Sequence, residues 1–135
     1  MAKYRWSKYR IHKNITILNY ARRSGKTETL INMVLNDPQG LFVAHSMAAA
    51  RSAVRREPRL RNRVCVDRSL RYDTTGARNL YLDEAGLMDP SVVQAAVMMD
   101  NLRAMSFTPP VNTTIREIME MKSARVLRRT SHGEV

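Results

Sequence analysis

The segment that decides the fold is residues 15–27, Ile15-Thr16-Ile17-Leu18-Asn19-Tyr20-Ala21-Arg22-Arg23-Ser24-Gly25-Lys26-Thr27. Its first part is mostly apolar and β-branched, which predicts a short buried strand over Ile15–Asn19. The residues that follow are small, polar or basic, and the helical spacing of later apolar residues predicts a helix from Lys26 to Asn36. A strand that passes through a short polar loop into a helix is typical of a parallel α/β unit.

The rest of the chain continues this alternation. Apolar runs predict four more strands, at Leu41–Ala44, Arg63–Val66, Asn79–Leu82 and Leu102–Phe107. Apolar spacing and breaker residues predict helices over Met47–Arg56, from Asp89-Pro90-Ser91 through Met99, and over Thr113–Lys122. We therefore predict one α/β domain over residues 1–135, with a mostly parallel sheet of about five strands flanked by helices. Residues 1–13 are interpreted as a basic, aromatic arm and residues 123–135 as a basic tail.

The loop after the first strand corresponds to the phosphate-binding pattern G-x-x-x-x-G-K-[ST]. Gly25-Lys26-Thr27 is intact, whereas Tyr20 stands where the first glycine is expected. In this pattern backbone N–H groups hold phosphate oxygens, the lysine reaches the terminal phosphates and the hydroxyl binds Mg²⁺. The alternative is an ordinary helix start with an exposed lysine. The position between strand and helix favours ATP binding by Tyr20, Ala21, Arg22, Arg23, Ser24, Gly25, Lys26, Thr27 and Glu28.

A second motif, Asn79-Leu80-Tyr81-Leu82-Asp83-Glu84-Ala85, ends an apolar strand in two acids. Such a strand places its last carboxylates at the carboxyl edge of the sheet, where open α/β sheets bind ligands. We predict that the Thr27 hydroxyl binds Mg²⁺ and that Asp83 holds the ion through its water shell. We predict that Glu84 orients and deprotonates the attacking water, with Lys26 on phosphate. The alternative is a solvated acidic turn after a strand.

Two further features complete the predicted site. Ser106 and Thr108 end the next strand, where a hydroxyl can sense the terminal phosphate and couple its loss to a partner; the alternative is a strand that ends in a plain turn. Arg22 or Arg23 stabilises charge on the transferred phosphoryl group, as an arginine finger does, and we prefer Arg22. The alternative for these arginines is a contact to phosphate or DNA at the outer edge of the loop.

The charge of the chain indicates a polyanionic partner. The 23 lysines and arginines outnumber the 12 acidic residues, for a net charge of +11. An excess of this size favours nucleic acid over an anionic membrane surface, and the alternative is a solvated basic face. Three interpretations stay open for Tyr4, Trp6 and Tyr9: stacking on adenine, gripping nucleic acid, or packing on the core.

Composition excludes several classes of protein. No apolar run approaches the roughly 20 residues of a membrane-spanning helix, and no signal-peptide pattern follows the basic start. The single cysteine, Cys65, cannot form an internal disulfide, and the three histidines lack metal-ligand spacing. We expect an intracellular protein without a membrane anchor.

The motifs quoted above, in their order, resemble the ATPase domain of large terminase subunits, the DNA-packaging motors of tailed phages and herpesviruses. Those proteins have an unusual phosphate loop, with arginine before G-K-T and often no first glycine. The resemblance covers roughly residues 14–120 and implies a P-loop NTPase fold of the RecA-like (ASCE) type.

The resemblance also implies an activity and partners. It implies Mg²⁺-dependent ATP hydrolysis coupled to double-stranded DNA translocation, with a ring of subunits or a portal or nuclease partner, in the cytoplasm of a virus-infected cell. The nuclease domain and its acids, which large terminases carry after the ATPase, have no counterpart here. Three other hypotheses remain: a helicase-like ATPase module acting with partner subunits, a small-molecule kinase, and a basic, nucleotide-regulated nucleic-acid-binding protein.

Overall fold

The computed structural model describes residues 15–21, 24–70, 78–98, 101–109, 113–120 and 124–129. Strands are β1 Ile15–Tyr20, β2 Gly40–Ala44, β3 Val64–Val66, β4 Asn79–Leu82, β5 Leu102–Phe107 and β6 Ala124–Arg129. Helices are α1 Lys26–Leu35, α2 Met47–Arg56, α3 Pro90–Val97 and α4 Thr113–Met119. Single 3-10 turns occupy Pro58–Leu60, Asp67–Ser69 and Ala85–Leu87.

The six strands form one sheet in the order β3-β2-β4-β5-β1-β6. Every neighbouring pair is parallel. Strand β1 lies next to the edge strand β6, and its Ile17 lies between Met105 of β5 and Val126 of β6. The predicted α/β class with a parallel sheet is therefore confirmed.

The prediction missed the sixth strand of the sheet. We expected about five strands and assigned residues 123–135 to a basic tail, whereas Ala124–Arg129 forms β6 beside β1. Arginines at both ends of this strand hid a short apolar centre, Val126-Leu127. Val126 packs toward one core and Leu127 toward the other. Elsewhere the predicted strand and helix bounds differ by at most three residues, the usual scale of end effects.

Each face of the sheet has its own core, because side chains alternate along a strand. On one face, helices α1 and α2 cover Leu18, Phe42 and Ala104. On the other, helices α3 and α4 cover Ile17, Val43 and Met105. The domain is therefore a three-layer sandwich of helices, sheet and helices.

The direction of the connections explains these layers. The chain leaves β1 and β2 toward the β3 edge, and leaves β4 and β5 toward the β6 edge. Right-handed crossovers that run in opposite directions place their helices on opposite faces. Strands β1 and β5 are neighbours, and the helices that follow them lie on opposite faces of the sheet. In open α/β sheets, the carboxyl edge at such a position is where ligands usually bind.

Candidate functional site

The loop after β1 turns sharply into helix α1 at Gly25. Its φ of 84° and ψ of 20° are left-handed, a conformation that glycine adopts without steric cost. Among the described residues no side chain caps α1. The first-turn N–H groups of the helix, with their partial positive charge, are thus suited to an anion.

The described residues on either side of positions 22 and 23 contact the backbone or the core. The Ser24 hydroxyl donates a hydrogen bond to the carbonyl oxygen of Ala21. Tyr20 is the last residue of β1, and its side chain is buried in the core under α1 and α2. The residue in the place of the first glycine is thus part of the strand, and Ala21 is the first loop residue.

Thr27, Asp83 and Ser106 form one chain of hydrogen bonds across three elements. The Thr27 hydroxyl lies 3.3 and 3.2 Å from the two carboxylate oxygens of Asp83. The Ser106 hydroxyl donates to Oδ1 of Asp83 at 2.8 Å. The predicted metal residues therefore meet in space, although 56 positions separate them in sequence.

Lys26, Glu84 and Thr108 form a second chain beside the first. Nζ of Lys26 lies 3.0 Å from Oε2 of Glu84, and the two side chains are 9% and 21% exposed. The Thr108 hydroxyl lies 3.2 and 3.3 Å from the two Glu84 carboxylate oxygens. The structure thus brings the predicted phosphate lysine, catalytic acid and coupling threonine together.

The backbone of Glu84 is unusual. Its φ of 55° and ψ of 54° are left-handed, which is uncommon for a residue with a side chain. The Ser106 hydroxyl accepts a hydrogen bond from the Glu84 N–H at 3.0 Å. Such conformations persist where surrounding contacts hold them and are frequent at functional sites. The turn directs the Glu84 carboxylate toward Lys26 and Thr108.

Burial gives Asp83 an unusual electrostatic position. Asp83 is 5% exposed and Ser106 fully buried. Removal from water raises the pKa of Asp83, and the nearby charge of Glu84 raises it further, while hydrogen bonds from Ser106 and Thr27 act in the opposite direction. The carboxylate is held in a place that disfavours its charge, a common property of functional sites.

The oxygen atoms of Thr27 and Asp83 fit a magnesium ion. Mg²⁺ is usually held by one or two carboxylates together with substrate phosphates and water. Among the described residues no group of three or more histidine, cysteine or acidic side chains is placed to hold a metal ion.

The other predicted site residues lie apart from these two hydrogen-bond chains or outside the residues that the structure describes. Glu28 is exposed and its carboxylate lies 3.9 Å from Arg56. Arg22 and Arg23, the candidate arginine fingers, lie outside the described residues, as do the aromatic residues of the N-terminal arm. The described chain thus tests neither role.

One polar residue near this edge gave no signal in the sequence. His45 directly follows β2, the neighbour of the strand that carries Asp83. Its Nδ1 is buried and has no hydrogen-bond partner among the described groups. A single histidine after a strand has no spacing pattern that would mark it.

Comparisons with known proteins leave the chain without an assigned family. No protein-family model matches it, and no curated protein matches its sequence. Across the described ranges, no helix has the length and apolar composition required to cross a membrane.

Proposed function

We propose that this chain is an ATP-hydrolysing nucleic-acid motor of the large-terminase type, which couples Mg²⁺-ATP hydrolysis to DNA translocation on a P-loop NTPase fold. The supporting observation is the paired arrangement of Thr27 with Asp83 and of Lys26 with Glu84 at one sheet edge. In phosphate-loop NTPases the lysine contacts the phosphates, and the loop hydroxyl and a strand-end aspartate hold Mg²⁺.

In this proposal each side chain has a distinct task. The α1 amides and Lys26 bind the phosphates of ATP. Thr27 and Asp83 hold Mg²⁺, which neutralises charge on the phosphate oxygens. Phosphate binding gives Lys26 a new anionic partner, so the Glu84 carboxylate becomes available to accept a proton from the attacking water.

Ser106 lies in β5 and Thr108 directly follows it, and in this proposal their hydroxyl groups have different tasks. Ser106 is fully buried and bonded to both the Asp83 carboxylate and the Glu84 N–H. We assign it a positioning role and no direct contact with phosphate. Thr108 is partly exposed and contacts the Glu84 carboxylate. It is therefore the better candidate for coupling the state of the site to a partner.

The track in this proposal is double-stranded DNA. A net charge of +11 produces the strong, salt-dependent attraction expected for a phosphate backbone. As in the family it resembles, the chain would act in a ring or with a portal or nuclease partner, in the cytoplasm of a virus-infected cell.

ATP hydrolysis with and without double-stranded DNA tests the proposal. We expect Mg²⁺-dependent hydrolysis that DNA stimulates, and a fall of about 10²-fold or more in Glu84→Gln, because the substitution removes the base. Glu120→Gln, an exposed change after α4, is the matched control and should retain full activity. Hydrolysis that Glu84→Gln leaves unchanged contradicts the catalytic assignment, and absence of nucleotide binding contradicts the function itself.

A further inference from the structure

An open groove of about 630 Å³ lies between helix α2 and the edge strand β3. None of its lining residues belongs to the site described above. Six of the nine are apolar, from the two elements: Met47, Ala50, Val54, Val64, Cys65 and Val66. Met47 is 56% exposed, and it is one of three exposed large apolar side chains in the described chain. Ala50, Val54, Val64 and Val66 also contact the core under α1 and α2, so the groove is a partly exposed margin of that core with Met47 at its surface.

The rim of this groove is positively charged. Arg51 and Arg55 line it four positions apart, so they lie next to each other on one side of α2. No acidic residue lines the groove. In the described part of the chain, Arg56 and Arg59 lie 3.9 and 2.8 Å from acidic side chains, whereas Arg51 and Arg55 form no ion pair. Like charges at this spacing repel, and an anionic partner would relieve that repulsion.

We propose that the groove docks an amphipathic, acidic segment of a partner protein. Apolar side chains of that segment occupy the floor, and its carboxylates pair with Arg51 and Arg55. Helix α2, with ten residues, is about 15 Å long. This length accommodates two to three turns of a bound helix, with apolar anchors at positions i, i+3 or i+4, and i+7. The inference does not depend on ATP hydrolysis.

Two other occupants fit the groove less well. Nucleic-acid interfaces are strongly polar, and the groove has no aromatic side chain on which a base could stack. A second copy of this chain carries the same net charge of +11 and would be repelled from a basic rim. An acidic protein segment satisfies both the apolar floor and the charged rim.

Selection from a displayed library of random peptides, about 12 residues long, tests the proposal on the full chain. We expect enrichment of peptides with apolar residues at helical spacing and with Asp or Glu between them. Fluorescence anisotropy then measures binding of the enriched peptides to variants. Arg51→Glu with Arg55→Glu should weaken binding about tenfold or more, equivalent to about 1.4 kcal/mol. Met47→Gln, which alters only an exposed side chain, should weaken it several-fold.

The matched control reverses the charge of two exposed arginines that do not line the groove. Arg116→Glu with Arg128→Glu, on α4 and β6, changes net charge equally and should leave affinity within about twofold. Equal losses in both double variants would show non-specific attraction and overturn the proposal. A library without enrichment, or enriched peptides that lack acids, would overturn it as well. Binding of a double-stranded oligonucleotide that only the groove variants lose would assign the groove to nucleic acid instead.

Discussion

The sheet has an amino edge, where its strands begin, and a carboxyl edge, where they end. Each of these edges holds an acidic residue in a cluster of hydrogen bonds, and the two clusters have different partners. At the amino edge, Asp37 accepts hydrogen bonds from Asn79 and Tyr81, both at 2.8 Å, and from the Gln39 N–H at 3.0 Å. At the carboxyl edge, Asp83 accepts bonds from Ser106 and Thr27. The first cluster joins the segment before β2 to strand β4, and the second joins the end of β4 to β5 and α1. Hydrogen bonding alone therefore does not distinguish a structural cluster from a functional one.

The partners of the basic residues make the first distinction. At the amino edge, Arg63 donates to the carbonyl oxygens of Val34, Asp37 and Gly40. It therefore ties the end of α1 to the start of β2. At the carboxyl edge, the ammonium group of Lys26 faces the carboxylate of Glu84. Arg63 satisfies backbone carbonyl groups of the fold, whereas Lys26 faces a side chain that phosphate would replace in the proposed function.

The acids differ in the direction of their pKa shifts. Burial alone would raise the pKa of Asp37, but the hydrogen bonds from Asn79, Tyr81 and Gln39 hold it below its usual value. Burial raises the pKa of Asp83 in spite of its own hydrogen bonds. The fold is therefore stabilised by the charge of Asp37 and destabilised by that of Asp83. A charge kept at such a disadvantage indicates a site retained for function.

The largest expected difference between the edges is in hydrolysis. Asp83→Asn should lower kcat by about 10²-fold or more, because in the proposed function this carboxylate holds the Mg²⁺ that would neutralise phosphate charge. Asp37→Asn is the same chemical change at the amino edge, and its kcat should stay within about twofold of the wild-type value. Steady-state ATP hydrolysis at saturating Mg²⁺ measures both, and comparable losses would remove the distinction between the edges.

The free energy of unfolding should show the reverse order. Asp37→Asn should lower the free energy of unfolding by about 1–2 kcal/mol, because the NH₂ group of the new amide would face hydrogen-bond donors to which the carboxylate was an acceptor. Asp83→Asn should be as stable as the wild type or more stable, since it removes an unfavourable buried charge. Urea denaturation measures both. A strongly destabilised Asp83→Asn would mean that this carboxylate also has a structural role.

Removing one hydrogen bond at each edge sharpens the contrast. Ser106→Ala should lower kcat about tenfold and leave KM for ATP unchanged, because Asp83 and Glu84 lose their alignment while the phosphate loop is intact. Asn79→Ala should lower stability by about 1 kcal/mol without a change in kcat. A raised KM in Ser106→Ala would indicate that Ser106 contacts the nucleotide directly.

The smallest expected effect is in the pH dependence of stability. The folded pKa of Asp37 is lowered, so its contribution is complete above the unfolded value, about 3.9, and is lost as the pH falls through the folded value. The folded pKa of Asp83 is raised, so its penalty decreases as the pH falls. As the pH falls, the free energy of unfolding should therefore decrease less steeply in Asp37→Asn than in the wild type, and more steeply in Asp83→Asn. Identical slopes in both variants would contradict the opposite shifts.

Much of the candidate site was predictable because it follows from local order in the chain. Gly25-Lys26-Thr27 lies between an apolar strand and a helix, and Asp83-Glu84 ends another strand. The ends of parallel strands lie on one edge of the sheet, so these motifs could be expected to meet. The amino-edge cluster was not predictable, because Asp37 lies in a breaker segment, and nothing in its neighbours indicates Asn79 or Tyr81 as partners.

The sequence by itself determined the alternation of strands and helices, the parallel sheet, and the residues gathered at its carboxyl edge. Periodicity and strand-end residues are local properties of the chain, and they persist in whatever order the strands assemble. The tertiary structure alone decided that residues 124–129 pair with β1, that Ser106 is buried between two acids, and that Glu84 adopts a left-handed backbone. These features depend on contacts between residues far apart in sequence, which no local pattern encodes.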